Sequence, residues 1–391
     1  MRGSGCSRIG DRPISLRSTP RILIPTALPM RLRPRTVIIF LLTVGLLAYF
    51  FRNTDVAAVR AEMGHADPGL LMLAVAVTGL TYALRAWRWQ MLLAPIGPTH
   101  FGTAFRTTVI GFAASTLLPG RVGEVLRPYL LARREGLNAT SAFATIILER
   151  VLDLATVLLF FAVFVFTVQP GVIAADPAEM TTVKFWGGVA TLGAVGGLGV
   201  LFALAGHPER LGRAALRVEH VLPERLARAL AGFVETFAQG LAVMRQPGRL
   251  LAALALSFPT WLSLAAGIWL TSRAFHITFP FSGSFLVTTI LVVGVAVPTP
   301  GQVGGFHAAY QFAVTTFFGA PNDRAVGAAL VLHAISLGPV TLLGLLFMMR
   351  EGLTFAGVRR IATEGSSGAA GSAPEGPGVE GLPAPAKRGA R

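Results

Sequence analysis

The chain has 391 residues, of which 53% are hydrophobic and only 14% charged. A soluble chain carries about 25% charge. Here the deficit is gathered into stretches of about 20 residues, the length that crosses bilayer hydrocarbon, which excludes an ordinary soluble fold and indicates an all-α integral membrane protein. The net charge of +15 does not indicate nucleic-acid binding, because the arginines flank the apolar runs, where they orient helices in the membrane. The single cysteine, Cys6, excludes an internal disulfide and any cysteine-based metal site.

In chain order, residues 1–35 hold eight arginines and five prolines with no helical apolar period, and read as a basic, disordered N-terminal extension. Met30, followed by Arg31-Leu32-Arg33-Pro34 and then the first apolar run, is a candidate translation start. The polytopic membrane domain spans 36–355. Its apolar stretches are Thr36–Phe51, Gly69–Ala94, Phe105–Leu118, Ser141–Val168, Val183–Ala205, Leu250–Thr271, Phe285–Val297 and Ala325–Met349. Asp67-Pro68 supplies an N-cap and a proline in the first helical turn, and Thr99 and Asn322 are placed to cap in the same way. The Gly-, Ala-, Pro- and Ser-rich residues 356–391 are expected to form a disordered tail.

Two stretches are too short to span. Phe105–Leu118 ends in Pro119-Gly120, and Phe285–Val297 ends in Pro298-Thr299-Pro300-Gly301. Broken helices at membrane depth survive only where protein or a wet cavity satisfies the freed backbone groups. The expected architecture is therefore about six transmembrane helices plus two re-entrant broken-helix hairpins. With both hairpins re-entrant, the basic segments fall on one face: Arg85, Arg88 and Arg106, then Arg133 and Arg134, then the arginine-rich loop 206–249, then Arg350, Arg359 and Arg360. By the positive-inside rule that face is cytoplasmic, which places both termini in the cytoplasm and the chain in the cell inner membrane.

Residues 105–129 align with 286–310 at an offset of 181. Thr107-Thr108 meets Thr288-Thr289, Pro119-Gly120 meets Pro300-Gly301, Val122-Gly123 meets Val303-Gly304, and Tyr129 meets Tyr310. The halves, about 69–168 and 250–349, each read as helix, hairpin, helix. The extra helix Val183–Ala205 between them inverts the second, an arrangement in which transporters place their binding site at the helix breaks.

Arg121, Glu124 and Arg127 follow the first break at a spacing of three, which on a helix puts them on one face. A charge at bilayer depth costs at least about 2.5–3.5 kcal/mol, so it faces a partner or a wet cavity. Arginines beside the free N–H groups of a new helix suit a phosphate or carboxylate; a purely structural Arg–Glu clasp is compatible with that role. Glu149, Arg150 and Asp153 form a second charged group, expected to neutralise Arg121 or Arg127. Arg85 and Arg88, with Trp87 and Trp89, read as interfacial snorkelling and aromatic anchoring. The second hairpin offers only Gln302 and His307 as polar handles; His307 is a candidate for proton transfer. The candidate head-group residues are thus Arg121, Glu124, Arg127, Glu149, Arg150, Asp153, Gln302 and His307, on a hairpin backbone set by Pro119, Gly120, Gly123, Pro300, Gly301 and Gly304. No metal or other cofactor is expected.

The runs Leu118-Pro119-Gly120-Arg121-Val122-Gly123-Glu124 with Arg127, Glu149-Arg150-Val151-Leu152-Asp153, and Pro298-Thr299-Pro300-Gly301 resemble the lysylphosphatidylglycerol synthase transmembrane-region family over about residues 35–355. These are flippase-like membrane proteins related to the N-terminal part of the bacterial multiple peptide resistance factor. The resemblance implies a helical membrane domain with re-entrant hairpins and, in bifunctional members, movement of an aminoacylated lipid between leaflets. Two departures bear on this. No soluble catalytic domain is read after residue 360, so the family name is not taken as an activity. Gln302 also stands where the family often has the second glycine of Pro-Gly-Gly-X-Gly. The expected function is translocation or binding of an anionic, aminoacylated or polyprenyl-phosphate-linked lipid. The alternatives are a membrane-embedded lipid-modifying transferase, with Glu124, Glu149 or Asp153 as base, and a non-catalytic partner of a separate lipid synthase or glycosyltransferase. With no nucleophile motif or nucleotide loop in the sequence, the enzyme alternative is the weaker.

Overall fold

The computed structural model describes residues 34–118, 121–167, 246–297 and 299–353, with isolated residues between 181 and 196. Pro119, Gly120, Pro298, both terminal extensions, and nearly all of the expected helix 183–205 and of loops 169–182 and 206–249 lie outside them. The described residues form helices and no strand. They are α1 (Pro34–Phe51), α2 (Val56–His65), α3 (Pro68–Leu93), α4 (Phe101–Leu117), α5 (Val122–Glu135), α6 (Ala139–Thr167), α7 (Pro247–Ala274), α8 (Gly283–Ala296), a 3₁₀ turn (Pro300–Gln302), α9 (Gly305–Phe318) and α10 (Asn322–Arg350).

Three of these, α3, α7 and α10, are long and apolar enough to cross a membrane. Their exposed faces carry Met72, Leu80, Leu251 and Leu342, side chains that lipid accepts and water does not. Helix α6 is 29 residues long but carries Glu149, Arg150 and Asp153 near its middle.

Local signals explain several helix starts. Asp67 accepts hydrogen bonds from the N–H groups of Gly69 (2.8 Å) and Leu70 (3.2 Å), with Pro68 in the first turn, as expected. Asp55 caps α2 in the same way; that ten-residue helix was not expected. The caps at Thr99 and Asn322 do not form. Helix α4 starts after His100 with no side-chain cap, and the Asn322 amide instead donates to the Asn53 carbonyl at 2.8 Å, tying α10 to the turn after α1.

Helices α4 and α5 form one broken pair, and α8 and α9 another. The first begins and ends together, because the His100 ring nitrogen Nδ1 lies 3.0 Å from Glu135 Oε2. The second does so through Phe279 and Phe318, whose rings stack at 4.5 Å. Each pair closes on bare backbone. A Cβ on Gly123 would collide with the Gly111 carbonyl, and one on Gly305 would sit 2.5 Å from that of Gly294. Glycine is therefore required on both seams for the helices to approach.

The two pairs enter from opposite ends of the bundle. At one end Arg134 reaches Glu351 at 2.9 Å, joining the last turn of α5 to the end of α10. At the other the Asp67 N–H donates to the Ala274 carbonyl at 2.9 Å and Arg324 pairs with Glu62. The element order α3 to α6 repeats as α7 to α10, with lengths of 26, 17, 14 and 29 residues against 28, 14, 14 and 29. The packing repeats as well: α4 lies on α10 as α8 lies on α6, α5 on α6 as α9 on α10, and α3 packs on α7 across the centre. That is the neighbour pattern of two units related by a two-fold axis.

Candidate functional site

The broken pairs meet tip to tip. Arg121, the residue before α5, sits in the left-handed region at φ 54°, and Gln302, its counterpart at the 181-residue offset, sits at φ 60°. For a residue with a Cβ this costs about 1–2 kcal/mol, so both breaks hold strain at the same position. Across the gap the Arg121 Nη2 donates to the Val295 carbonyl at 2.8 Å. That carbonyl belongs to the last turn of α8, where acceptors lack intrahelical donors and a cation is favoured.

Between the tips lies a cavity of about 320 Å³. Its charged and amide lining comes from Arg121, Glu124 and Arg127 of the first pair, Arg150 and Asp153 of α6, and Gln302 of the second. Its apolar wall includes Phe112, Leu154, Val292 and Trp261. Of the eight expected head-group residues, six therefore line one space. Glu149 lies behind it, fully buried, and His307 lies elsewhere.

Glu149 anchors the charges. Its carboxylate lies 3.1 Å from Arg127 Nη1, 3.2 Å from Arg88 Nη2 and 3.2 Å from Arg150 Nη2. One turn on, Asp153 accepts from Arg88 Nη1 at 2.6 Å and from the Trp261 indole at 2.8 Å, with Arg85 at 3.8 Å. The Arg127 guanidinium carbon lies over the Trp89 ring, 3.8 Å from its centroid, and Trp89 in turn donates to Thr145 at 3.0 Å. Arg88 also donates to Ser257 of α7 at 2.8 Å. Removing one member of such a network would leave buried charges uncompensated.

Two expectations are corrected here. Arg88 does not snorkel: it is fully buried, and Trp89 beside it is buried too, because α6 presents carboxylates to this face of α3. Arg85 is also buried; of the four residues only Trp87 is exposed as an anchor would be. Secondly, Arg121 does not join α5: it precedes the helix, half-exposed and turned toward Val295, with Glu124 at 3.9 Å, while Glu149 neutralises Arg127, one of the two arginines expected. Arg121, Glu124 and Arg127 thus do not share a helix face, since Arg121 precedes the helix in a left-handed conformation, although all three line the cavity. A signal for the missed residues was present: Arg85 and Arg88 lie one helical turn apart on one helix, as Glu149 and Asp153 do on another.

Five guanidiniums (Arg85, Arg88, Arg121, Arg127, Arg150) against three carboxylates (Glu124, Glu149, Asp153) leave two positive charges around the cavity. Arg127 faces Glu149 through Nη1 alone; its Nε and Nη2 have no hydrogen-bond partner among the described residues. A guanidinium edge with two unpaired N–H donors matches the two oxygens of a phosphate or carboxylate. The described residues contain no group of three or more His, Cys, Asp or Glu that would hold a metal ion.

Residues 36–344 match the family described as the lysylphosphatidylglycerol synthase TM region. Glycosyltransferase AglD of Haloferax volcanii is 30% identical over 118 residues, which is 30% of this chain and 19% of that protein. The UPF0104 membrane protein MJ1595 of Methanocaldococcus jannaschii is 27% identical over 132 residues, 33% of this chain and 38% of that protein. The matched region spans less than half the length of each of these curated relatives. The family match covers most of the chain, and this membrane protein belongs to the lysylphosphatidylglycerol synthase TM region family.

Proposed function

We propose that this protein binds the anionic head group of a membrane lipid in the cavity between the two broken pairs and carries it between leaflets. The observation that carries the reading is the set of three arginines, Arg121, Arg127 and Arg150, lining one cavity that both breaks share, with Arg127 holding two buried N–H donors that have no hydrogen-bond partner among the described residues. Arg150 and Arg121 add positive charge, and the apolar wall suits the first carbons of an acyl or prenyl chain. The two-fold neighbour pattern supports an inverted repeat in which the halves rock about the cavity, exposing it first to one face and then to the other. The broken pairs then act as re-entrant hairpins, and the Arg106, Arg134 and Arg350 end is cytoplasmic by its basic character. Glu149 and Asp153 are each shared by at least two arginines, a setting that makes a poor general base and weighs against the transferase reading.

The second reading, a membrane partner of a separate lipid synthase or glycosyltransferase, draws on the likeness to AglD. Both can share one site, because a partner that holds a lipid for an enzyme needs the same head-group contacts.

Vesicles of phosphatidylcholine with one-tenth phosphatidylglycerol, carrying fluorescent analogues of either lipid, test the first reading. The reconstituted protein is expected to expose the anionic analogue to an outside quencher faster than protein-free vesicles do, and Arg127→Lys is expected to slow it. Equal rates with and without protein, or rates untouched by both Arg121→Gln and Arg127→Lys, sink it.

A further inference from the structure

A second cluster of ionisable groups lies outside the charged cavity, on the far side of the second break. His307 of α9 is buried, and its ring lies 4.5 Å from that of His333 of α10. Each imidazole holds one peptide group of the break. His333 Nε2 lies 2.9 Å from the Gly301 carbonyl oxygen, so Nε2 must carry a proton. The Gly304 N–H donates to His307 Nδ1 at 3.4 Å, so that nitrogen must be bare. Those bonds fall on a hinge: of the four residues Gly301 to Gly304, three have positive φ (60°, 60° and 88°). The same segment reaches the cavity through Gln302, and Thr299 just before it lines the cavity too.

We propose that the His307–His333 pair is a proton-binding site that couples protonation to movement of the second break over the charged cavity. The proton comes from water and adds to the lone pair of His307 Nδ1. The Gly304 N–H then faces an N–H rather than an acceptor, and its hydrogen bond is lost. The ring spacing admits one charge, since two imidazolium ions at 4.5 Å repel strongly. Loss of the proton restores the bond, so the cycle is reversible and needs no other reactant.

Among the described residues no charged group is bonded to either imidazole. Phe50 of α1 and Phe306 of α9 flank the rings at 5.2 Å from His307 and 5.2 Å from His333. On the packed elements, Tyr82 of α3 donates to the Ser336 carbonyl and Tyr310 of α9 bonds to Ser272. Glu62 of α2 pairs with Arg324, Asp323 accepts from the Asp55 N–H, and Glu351 pairs with Arg134. None of these is bonded to either imidazole, so each histidine's ionisable neighbour is the other.

The consequence for lipid movement rests on the proposed translocation; the proton site itself does not. A nitroxide at position 303, in the full-length Cys6→Ser/Val303→Cys protein in phosphatidylcholine–phosphatidylglycerol vesicles, reads the hinge directly. Its mobile fraction is expected to rise about tenfold between about pH 8 and pH 4 and to stay constant in the His307→Gln/His333→Gln variant. A flat wild-type response, or a step that survives in the variant, overturns the proposal. If the variant does not fold, ¹⁵N-imidazole resonances of the wild type decide: two histidines of the break that stay neutral to about pH 4 overturn it. Lipid movement is recorded on the same vesicles. A hinge step without lipid movement overturns the functional reading and leaves the proton site standing; lipid movement with a flat hinge does the reverse.

Discussion

The two broken pairs share a backbone and divide the chemistry. Both close on a glycine-to-glycine seam, Gly111 with Gly123 and Gly294 with Gly305, and both carry a left-handed side-chain-bearing residue at the break, Arg121 and Gln302. Around the first, three arginines and three carboxylates gather with Arg85 and Arg88 of α3; the second holds two imidazoles at its break and receives a charge only from Arg121 of the first, at Val295, among the described residues. Backbone geometry is therefore common to the two pairs, while their side-chain chemistry differs. A permanently charged site can hold an anion at any pH, whereas a neutral pair can change state with a proton. Under the proposed function, the first pair would bind and the second would move.

The largest expected effect probes the charged side of this contrast. Glu149→Ala leaves Arg88 and Arg127 facing no carboxylate at that point, and a loss of about 3–5 kcal/mol is expected in reversible unfolding in mild detergent. His307→Ala is expected to cost clearly less. Equal costs would mean that the two hairpins are held in the same way.

Next, the shared backbone predicts that both seams are sensitive, the first more than the second because its carbonyl lies closer. Gly123→Ala and Gly305→Ala each force a methyl against a facing carbonyl, and each should cost about 1–3 kcal/mol by thermal unfolding. If only one of the pair destabilises, the seams are not equivalent.

A smaller free-energy change separates binding from folding. Arg127→Lys keeps a cation near Glu149 but removes the planar donor edge, so lipid movement should fall about tenfold with a smaller change in melting temperature. A proportional fall in both would make Arg127 a strut rather than a ligand.

The smallest effect lies away from both hairpins. The hydrogen bond from Arg324 holds the Glu62 carboxyl below its ordinary value of 4.5, with the Arg324 charge acting in the same direction. Its stabilisation is therefore present above that value and lost as pH falls through the lowered one. Glu62→Gln should cost less than about 1 kcal/mol at neutral pH and nothing in strong acid, as read from melting curves at both pH values.

Much of this was legible from the residues in order. The helices follow the apolar runs to within a few residues, and Asp67-Pro68 starts α3 where it should. Pro-Gly after a short apolar run marked the interruptions, because proline removes a donor and glycine admits positive φ. Six of eight expected head-group residues line one cavity. What failed did so for a common reason. Arg88 and Trp89 look interfacial in a linear reading, since nothing local says that α6 will bring Glu149 and Asp153 beside them. Thr99 and Asn322 looked like caps, yet α4 starts without a side-chain cap and Asn53 claims the Asn322 side chain. The partner of His307 lies 26 residues on, in another helix, at no recognisable spacing.

By itself, then, the sequence determined an all-α membrane protein, the places where its helices break, and the residues able to carry charge at those breaks. These are properties of local composition and backbone chemistry. Only the tertiary structure decided which charges neutralise one another, which arginines line the cavity, and which two histidines meet the second break. Those are set by how α3, α5, α6, α9 and α10 cross, and a charge buried away from water takes its meaning from the group across the gap.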